Sequence, residues 1–497
     1  MIGAQRVGRT SADTRDRSTP KLARYDLVIL GGGSAGLSAA QTAALLGVRV
    51  ALIDRETLGG ECLYTGCVPS KALLHVAGVA QHVRQAPSLG LTARLDPVDL
   101  GAVADHVQRV IDRVYVRDTP EQFETSGVEV LFGAAHFTGP RELSLNGHRI
   151  QARAFLICTG SHAAVPDLPG LVSLPHLTND SVFDLRTLPA TLTVVGGGPV
   201  GVELAQAFAR LGAQVTLVQG AERLLPREEP AASEVLRRRL ESEGVTVHLQ
   251  ARATQFAQRD QSKVVSVRRP DGSAFEVAGD EVLIALGRSP NGAGLGLEAA
   301  NVAYAAASGI TVDAFQRTSN PRIYAAGDVT GAPYFTHAAA QQARVAVRNA
   351  VTPFRRRLDL RVLPWATFTD PEVARVGLTE AQAHERYGAD VRAYTVPFAD
   401  VDRADTDGSP EGFVKLVATR TGELVGAHLI GLHAGEYVNE LALAMQRRTK
   451  LGEIAATVHV YPTLALAIQQ AAGRYSVGKT IRGPLPKLIR RYVRLFP

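Results

Sequence analysis

Tyr25-Asp26-Leu27-Val28-Ile29-Leu30-Gly31-Gly32-Gly33-Ser34-Ala35-Gly36 is a buried-strand run that breaks at once into a glycine loop. An Ala/Leu-rich helical stretch follows, then a second strand over 48–53 that ends in Asp54. Each position has a physical task. Gly31 permits the tight turn, Gly33 lets backbone amides approach a pyrophosphate, and Gly36 brings helix and strand together. Asp54, about 20 residues on, bonds a ribose hydroxyl. A lone glycine loop also marks ordinary turns; the strand before it and the acid after it favour a nucleotide. The pattern returns with the strand Thr191–Val195, the loop Gly196-x-Gly198-x-x-Gly201, a helix from Val202 and the strand Gln214–Val218. Two such units in one chain imply two dinucleotides, one held permanently and one exchanged.

The second unit ends at Gln219 instead of an acid. An acid there would accept the 2′-hydroxyl of NAD and repel the 2′-phosphate of NADP. The neutral amide removes that repulsion and Arg223 is within reach of a phosphate, so NADPH is favoured over NADH, although no arginine pair is built for the task. Arg223 as a plain solvated loop residue is the bland alternative.

Directly after the first unit comes Gly59-Gly60-Glu61-Cys62-Leu63-Tyr64-Thr65-Gly66-Cys67-Val68-Pro69-Ser70-Lys71. Along a regular helix the two cysteines would be separated by a rise of about 7.5 Å, whereas disulfide Cα atoms lie within about 6.8 Å. A bridge therefore needs a loop or a distorted first turn, which Gly59, Gly60 and Gly66 make feasible. Metal binding is a competing reading, but no second Cys/His pair has suitable spacing, and no metal site is expected. Two buried structural thiols are the bland one.

The remaining numbers bound these readings. With 497 residues, the chain exceeds one core and suggests about three domains. Hydrophobic residues make up 45% and charged ones 21%, as in ordinary globular proteins. Residues 1–24 read as a disordered leader without the apolar run of a secretion signal. The apolar stretch 27–53 is interrupted by its glycines and Arg49, which favours strand–turn–helix–strand over a membrane span. The three cysteines are too few for a secreted disulfide scaffold. A net charge of +6, spread thinly except for a basic run over 487–494, gives no nucleic-acid footprint. A cytoplasmic location is expected.

The cysteine segment resembles the redox-disulfide motif of the class I pyridine nucleotide-disulfide oxidoreductases, which include dihydrolipoamide dehydrogenase, glutathione reductase and mercuric reductase. Ile157-Cys158-Thr159-Gly160-Ser161 is similar to the family's A-T-G-type strand end, with Cys158 in the alanine place. Ile323-Tyr324-Ala325-Ala326-Gly327-Asp328 resembles its second FAD motif, in which the aspartate bonds the ribityl chain. Thr369-Asp370-Pro371-Glu372-Val373-Ala374 opens a stretch similar to its dimerisation domain. The resemblance implies an α/β fold with two Rossmann-like domains and a C-terminal α/β interface domain, working as a homodimer. FAD would be held by 25–160 and 285–350, NAD(P)H by 161–284, with 351–475 as the interface and 476–497 as a basic amphipathic tail. It further implies Cys67 as the thiol against the flavin, Cys62 as the interchange thiol, and a Lys71–Glu203 pair near flavin N5. For Glu203 the plain reading is a helix-surface acid; for Lys71, a solvated stem.

The sequence departs from the family at one place. Members that handle dithiols carry H-P-T-x-x-E near the C-terminus and exchange this segment between subunits. Here the run is His459-Val460-Tyr461-Pro462-Thr463-Leu464-Ala465-Leu466, with Tyr461 in the histidine place and Leu466 in the glutamate place. Positioned acid–base catalysis is worth about 10²–10⁴-fold, and a phenol of pKa about 10 is a poor proton shuttle at neutral pH. His459, about 7 Å away on an extended segment, fits a structural role. Tyrosine here resembles mercuric reductase and its relatives, yet the sequence lacks their N-terminal C-x-x-C domain and has no cysteine after Cys158, so efficient Hg(II) capture is not expected. The expected reaction is NAD(P)H-dependent reduction of a non-dithiol acceptor: a metal ion, quinone or electrophile. Dihydrolipoamide dehydrogenase is the alternative enzyme, and a flavin-binding sensor without turnover the alternative of another class. The tail 485–496 is expected to pack on its own protein, with a membrane-surface helix as the sharper option.

Overall fold

A computed structural model describes residues 17–20, 24–482 and 485–495, and the chain divides into two compact units. The first unit gathers the chain up to Tyr64, Arg113–His162 and Arg288–Leu358. Its centre is a seven-stranded sheet in which Val128–Phe132, Val50–Asp54, Arg24–Leu30 and His148–Ile157 run parallel. The first half of His148–Ile157 pairs antiparallel with Glu142–Leu145, and its second half pairs parallel with Ile323–Ala325. Strand side chains alternate between faces. Leu27, Ile29, Leu52 and Leu156 pack against Ala39, Ala40 and Ala43 of the helix Ser34–Leu45 and Ala343 and Ala346 of the helix Thr336–Val351. Alanine faces let both helices approach closely. Val28, Leu30, Ile53, Phe155 and Ile157 face the opposite layer with Phe137, Leu143 and Leu295. A strand buried on both faces reads as a continuous apolar run, which is how 25–30 reads.

Part of the stretch expected to be a disordered leader is docked on this unit. The Arg17 carbonyl accepts the Phe132 N–H at 2.9 Å, and its guanidinium pairs with Glu121 at 2.8 Å and Glu124 at 3.0 Å. Residues 1–16 and 21–23 of that leader lie outside the described residues.

The second unit comprises Thr65–Asp112, Ala163–Gly287 and Asp359–Pro497. A parallel sheet in the order Thr246–His248, Gln214–Val218, Thr191–Val195, Glu281–Ile284 carries the second glycine loop, beside a three-stranded antiparallel sheet over Arg252–Gly279. A five-stranded antiparallel sheet follows in the order Pro364–Thr367, Glu372–Gly377, Leu424–Gly431, Phe413–Thr419, Val391–Pro397. Leu424–Gly431 is buried at every position. On one face Ala427 and Leu429 pack in a cluster with Val438 and Leu441 of one helix and Ile468 and Ala471 of another.

Buried ionic contacts tie the nucleotide segment to this last sheet, which is why the two fall in one unit. Arg210, 5% exposed, holds Glu243 through two bonds of 2.8 and 2.5 Å and reaches Asp370 at 2.8 Å. Gln206 brackets the Asp370 backbone, donating to its carbonyl and accepting its N–H, each at 2.7 Å. Lys415 bonds both Glu229 at 2.9 Å and Glu380 at 2.8 Å, and Trp365 donates to Glu228 at 2.8 Å. Burial pushes the Glu228 carboxyl above its usual range, against the pull of the Trp365 N–H.

The tail forms the helix Leu485–Leu495 but does not pack as expected: Leu488, Ile489, Tyr492, Val493 and Leu495 are all more than half exposed.

His428, buried on strand Leu424–Gly431, approaches the Leu378 carbonyl with Nε2 at 3.0 Å. Burial pushes its pKa down to about 4, an effect that Arg375 and Lys415 strengthen and that the Leu378 carbonyl and Glu229 oppose. An unfolded histidine titrates near 6.5, so below that pH the unfolded chain takes up a proton the folded one refuses. Stability is therefore lost as pH falls from about 6.5 towards about 4, and the loss levels off below. We expect the urea midpoint to decline through this window in the wild type and to decline less in His428→Asn. Equal slopes would show that His428 is not the titrating group.

Candidate active site

The two outer glycines of the first loop are required by the protein, and the middle one is not. A Cβ on Gly36 would lie 1.8 Å from the Gly31 carbonyl oxygen, and one on Gly31 would lie 2.3 Å from the Cys158 carbonyl oxygen. A Cβ on Gly33 would meet nothing closer than the Gly60 Cα at 3.7 Å. Gly33 caps the helix Ser34–Leu45 in an extended conformation, with no side chain bonding the first helical N–H groups. Those amides and the helix dipole face a space kept bare, which suits a pyrophosphate. Asp54 secures the loop, accepting the Gly32 N–H at 2.6 Å and the Glu56 N–H at 3.2 Å, and keeps lone pairs for a ribose hydroxyl. These features fit FAD.

The cysteine segment forms two helices instead of one. Cys62 lies in Gly60–Tyr64; Cys67 is the first residue of Cys67–Gln85, with Gly66 in a non-helical conformation at its cap. The helical path is thus interrupted between the two cysteines. Pro69 falls in the first turn, where its missing N–H costs nothing. Cys67 is exposed, and a helix N-terminus favours a thiolate. Cys62 is half-buried, and Thr336, which opens the helix Thr336–Val351, donates its hydroxyl to the Cys62 Sγ at 3.2 Å. Cys158 is buried, and burial pushes its thiol pKa far up, so it stays protonated and unreactive.

A polar chain beside Cys62 was not legible in the sequence. Glu61 forms a two-point ion pair with Arg288, whose Nε donates to Ser161 Oγ at 2.8 Å. Ser161 in turn donates to Asp328 at 2.6 Å. Asn291 fixes Thr159 and Gly160: its Nδ2 donates to the Thr159 carbonyl at 3.0 Å, its N–H to the Gly160 carbonyl at 2.9 Å, and its carbonyl accepts the Thr159 hydroxyl at 2.6 Å. The available signal was the polar cluster Gly287-Arg288-Ser289-Pro290-Asn291 soon after a buried strand, and an acid next to a candidate redox cysteine.

In the second unit the loop repeats the first. A Cβ on Gly201 would lie 1.8 Å from the Gly196 oxygen, while one on Gly198 would meet nothing within 4 Å. Gln219 Oε1 accepts the Gly197 N–H at 3.2 Å, so the amide secures this loop as the Asp54 carboxylate secures the other, without the charge. Its Nε2 donates to the Arg223 carbonyl at 3.1 Å. The Arg223 guanidinium pairs with Glu222 and donates to the Pro226 carbonyl at 3.1 Å. Lys71 lies one helical turn after Cys67, and its Nζ meets Glu203 Oε2 at 2.9 Å and the Phe368 ring at 4.5 Å. Glu203 is buried in the helix Pro199–Leu211 and also accepts the Phe368 N–H at 2.8 Å, so it is no surface acid.

Tyr461 is 66% exposed and donates its hydroxyl to Asp402 at 2.6 Å, a bond that raises the phenol pKa above its ordinary value. His459 is engaged at both ring nitrogens, by the Thr457 carbonyl and by Glu440, each at 3.0 Å. Leu466 starts the helix Leu466–Arg482. Among the described residues, no three His, Cys, Asp or Glu side chains are grouped to hold a metal ion.

Residues 25–343 match the pyridine nucleotide-disulphide oxidoreductase family, and 363–472 match its dimerisation domain. The chain belongs to this family. It is 35% identical to a mercuric reductase of Bacillus cereus over 90% of its own length and 71% of the relative's. It is 36% identical to a dihydrolipoyl dehydrogenase of Thermus scotoductus, covering 90% of this chain and 96% of that one. Among solved structures, the HOCl-induced flavoprotein disulfide reductase RclA of Escherichia coli superposes with a TM-score of 0.80 at 28% identity, over 90% of this chain and 99% of RclA. LpdA of Mycobacterium tuberculosis superposes at 0.82 with 30% identity, over 91% and 99%. The protein is thus an NAD(P)H-dependent, FAD-containing oxidoreductase of α/β fold, and its dimerisation domain implies a homodimer. No helix among the described residues is long and apolar enough to cross a membrane.

The bare middle glycines separate folding from cofactor binding. Gly33→Val is expected to fold with unchanged far-UV dichroism but to purify with little flavin absorbance. Gly198→Val is expected to keep its flavin and raise KM for the nicotinamide, by about ten-fold or more, equivalent to about 1.4 kcal/mol. Full flavin occupancy in Gly33→Val would refute the cradle.

Proposed function

We propose that the chain carries electrons from NAD(P)H, through FAD and a Cys62–Cys67 disulfide, to an acceptor that is not a dithiol. Metal ions such as Hg(II) or Cu(II), quinones and small electrophiles are the candidate classes. The observation that carries this reading is Tyr461, its proton held by Asp402, together with Leu466, where dithiol-handling relatives have histidine and glutamate. Reducing a substrate disulfide to its dithiol requires a proton at the leaving sulfur. A tyrosine with a raised pKa supplies it poorly. A metal ion makes no such demand. One solved RclA structure is a Cu(II) complex, which supports the metal-ion class.

FAD, when bound, relays two electrons between nicotinamide and disulfide. NAD(P)H gives up a hydride, and with one proton from solvent the disulfide becomes two thiols. Transfer of both electrons to one Hg(II), or of one electron to each of two Cu(II), restores the disulfide and releases two protons; with a quinone the protons leave on the product. In this reading the chain's own groups position and stabilise. Cys67 is favoured as thiolate by its helix N-terminus, and Thr336 directs a hydroxyl at Cys62. Glu203 fixes the Lys71 ammonium, and Asp328, steadied by Ser161, is the group to bond the ribityl chain. The exposed side chains of Val458, Val460 and Tyr461 suit a segment exchanged between subunits.

A dihydrolipoyl dehydrogenase remains the second reading because the Thermus scotoductus relative is as similar as the mercuric reductases. Turnover of lipoamide, glutathione disulfide, Hg(II), Cu(II) and a soluble quinone with each nicotinamide decides between them; robust lipoamide turnover defeats our preference. Restoring both missing groups, Tyr461→His with Leu466→Glu, is expected to raise lipoamide turnover by about 10²-fold. After anaerobic NAD(P)H treatment, alkylation should mark Cys62 and Cys67 and spare buried Cys158. Labelling of both before reduction would exclude the resting disulfide.

NADPH is the favoured nicotinamide because Gln219 lacks the charge that repels a 2′-phosphate, although Arg223 must exchange Glu222 for that phosphate. Gln219→Glu is expected to lower kcat/KM for NADPH relative to NADH by at least about ten-fold, or about 1.4 kcal/mol. An unchanged ratio would show that this position does not meet the ribose.

A further inference from the structure

The helix Leu485–Leu495 belongs to none of the sites described above. At about 100° per residue, Lys487, Arg490, Arg491 and Arg494 share one side, while Leu488, Ile489, Tyr492, Val493 and Leu495 share the other. The apolar side stays largely open: those five residues are 59%, 51%, 63%, 59% and 65% exposed. The charge along this stretch of the sequence is one-signed. After Glu453 the sequence has no Asp or Glu, but it has seven basic residues: Arg474, Lys479, Arg482, Lys487, Arg490, Arg491 and Arg494. Seven positive charges against a chain total of +6 leave the preceding residues nearly neutral, so the excess sits in this one stretch.

A core helix would bury the apolar side, and a surface helix of a soluble protein would not present so wide an apolar face. A crossing helix needs about 20 apolar residues, and this helix has only eleven residues in all. A wide apolar face opposite an all-basic one is the pattern of a helix lying in the plane of a bilayer. The apolar side enters the acyl boundary, with Tyr492 at headgroup depth, and the basic side meets anionic headgroups.

We propose that this helix docks the protein on anionic bilayer surfaces. Neither half suffices alone, since lasting attachment takes an apolar and an electrostatic signal together. The two copies in a homodimer strengthen the attachment further. This assignment stands apart from the choice of electron acceptor.

The test uses the full-length flavoprotein in co-sedimentation with vesicles of phosphatidylcholine alone or mixed with phosphatidylglycerol. We expect binding to the mixed vesicles only, weakening as salt is raised. Each basic residue near an anionic surface strengthens binding by about five-fold, so Arg490→Glu with Arg491→Glu should weaken it by more than about 25-fold. Ile489→Asp, which leaves the four cations in place, should also release the protein. NAD(P)H-driven turnover with a soluble acceptor should be unchanged in both variants, showing that they fold. The proposal is overturned if the wild type fails to bind the mixed vesicles, or if both variants bind as well as it does. It is overturned too if Ile489→Asp still binds while Arg490→Glu/Arg491→Glu does not, which would leave a merely basic patch. Duplex DNA that competes the protein off the vesicles without needing the apolar face would assign the helix to nucleic acid instead.

Discussion

Gly36 has no room for a side chain because its Cβ would fall 1.8 Å from the Gly31 carbonyl oxygen, and Gly201 stands in the same relation to Gly196. This contact presses the start of a helix onto the end of a strand, and much of the rest follows from it. The first helical N–H groups are left facing outward, because Gly33 and Gly198 cap their helices without a side chain to cover them. The loop must then be held from behind, and a side chain at the end of the next strand does so in both units. Asp54 holds Gly32, and Gln219 holds Gly197. The two loops share one mechanical solution and differ by one charge, which is the difference a 2′-phosphate would feel.

The cysteine segment follows a related logic. Cys67 opens a long helix, and Cys62 lies against the first residue of another, so each sulfur is beside a helix N-terminus. The dipole there favours negative sulfur. Cys158 lacks any such support and is buried, so its thiol stays protonated. Three cysteines of one chemistry are thus sorted by backbone placement alone. Lys71 adds a cation one turn beyond Cys67, and Glu203 prevents it from wandering.

The fold was largely legible because its decisive features are local. The glycine spacings, the apolar runs at 25–30 and 191–195, and the acid or amide after the next strand all lie within a few tens of residues. The Lys71–Glu203 contact joins positions 132 residues apart, and only the family resemblance named it beforehand. Glu61–Arg288 spans 227 residues and Cys62–Thr336 spans 274, with no periodicity or spacing to announce either. Arg288 reads as a loop arginine until the turn carrying Asp328 returns beside Ser161. The grouping of the nucleotide segment with the C-terminal sheet was hidden for the same reason. It rests on Arg210 and Glu243, whose charges look like ordinary solvated surface until burial removes the water, and on the partly exposed Asp370 that Arg210 also reaches. The tail failed the other way: its apolar residues suggested packing, yet they remain more than half exposed.

Overall similarity does not choose the acceptor, since a mercuric reductase and a dihydrolipoyl dehydrogenase are 35% and 36% identical to this chain, each over 90% of it. The choice must lie in few positions. Flavin, nicotinamide and disulfide need the same scaffold whatever receives the electrons, so the glycine loops and the cysteine segment carry no information about the last step. A proton requirement does. A histidine–glutamate pair supplies a proton near neutral pH because the carboxylate orients a group that titrates there. Tyr461 donates instead to Asp402, which ties the phenol proton more tightly still, and Leu466 offers no acid or base at all. His459 cannot substitute without giving up Glu440 and the Thr457 carbonyl. On the proposed reading, these groups hold their protons tightly, which favours acceptors whose reduction does not wait on a proton at sulfur.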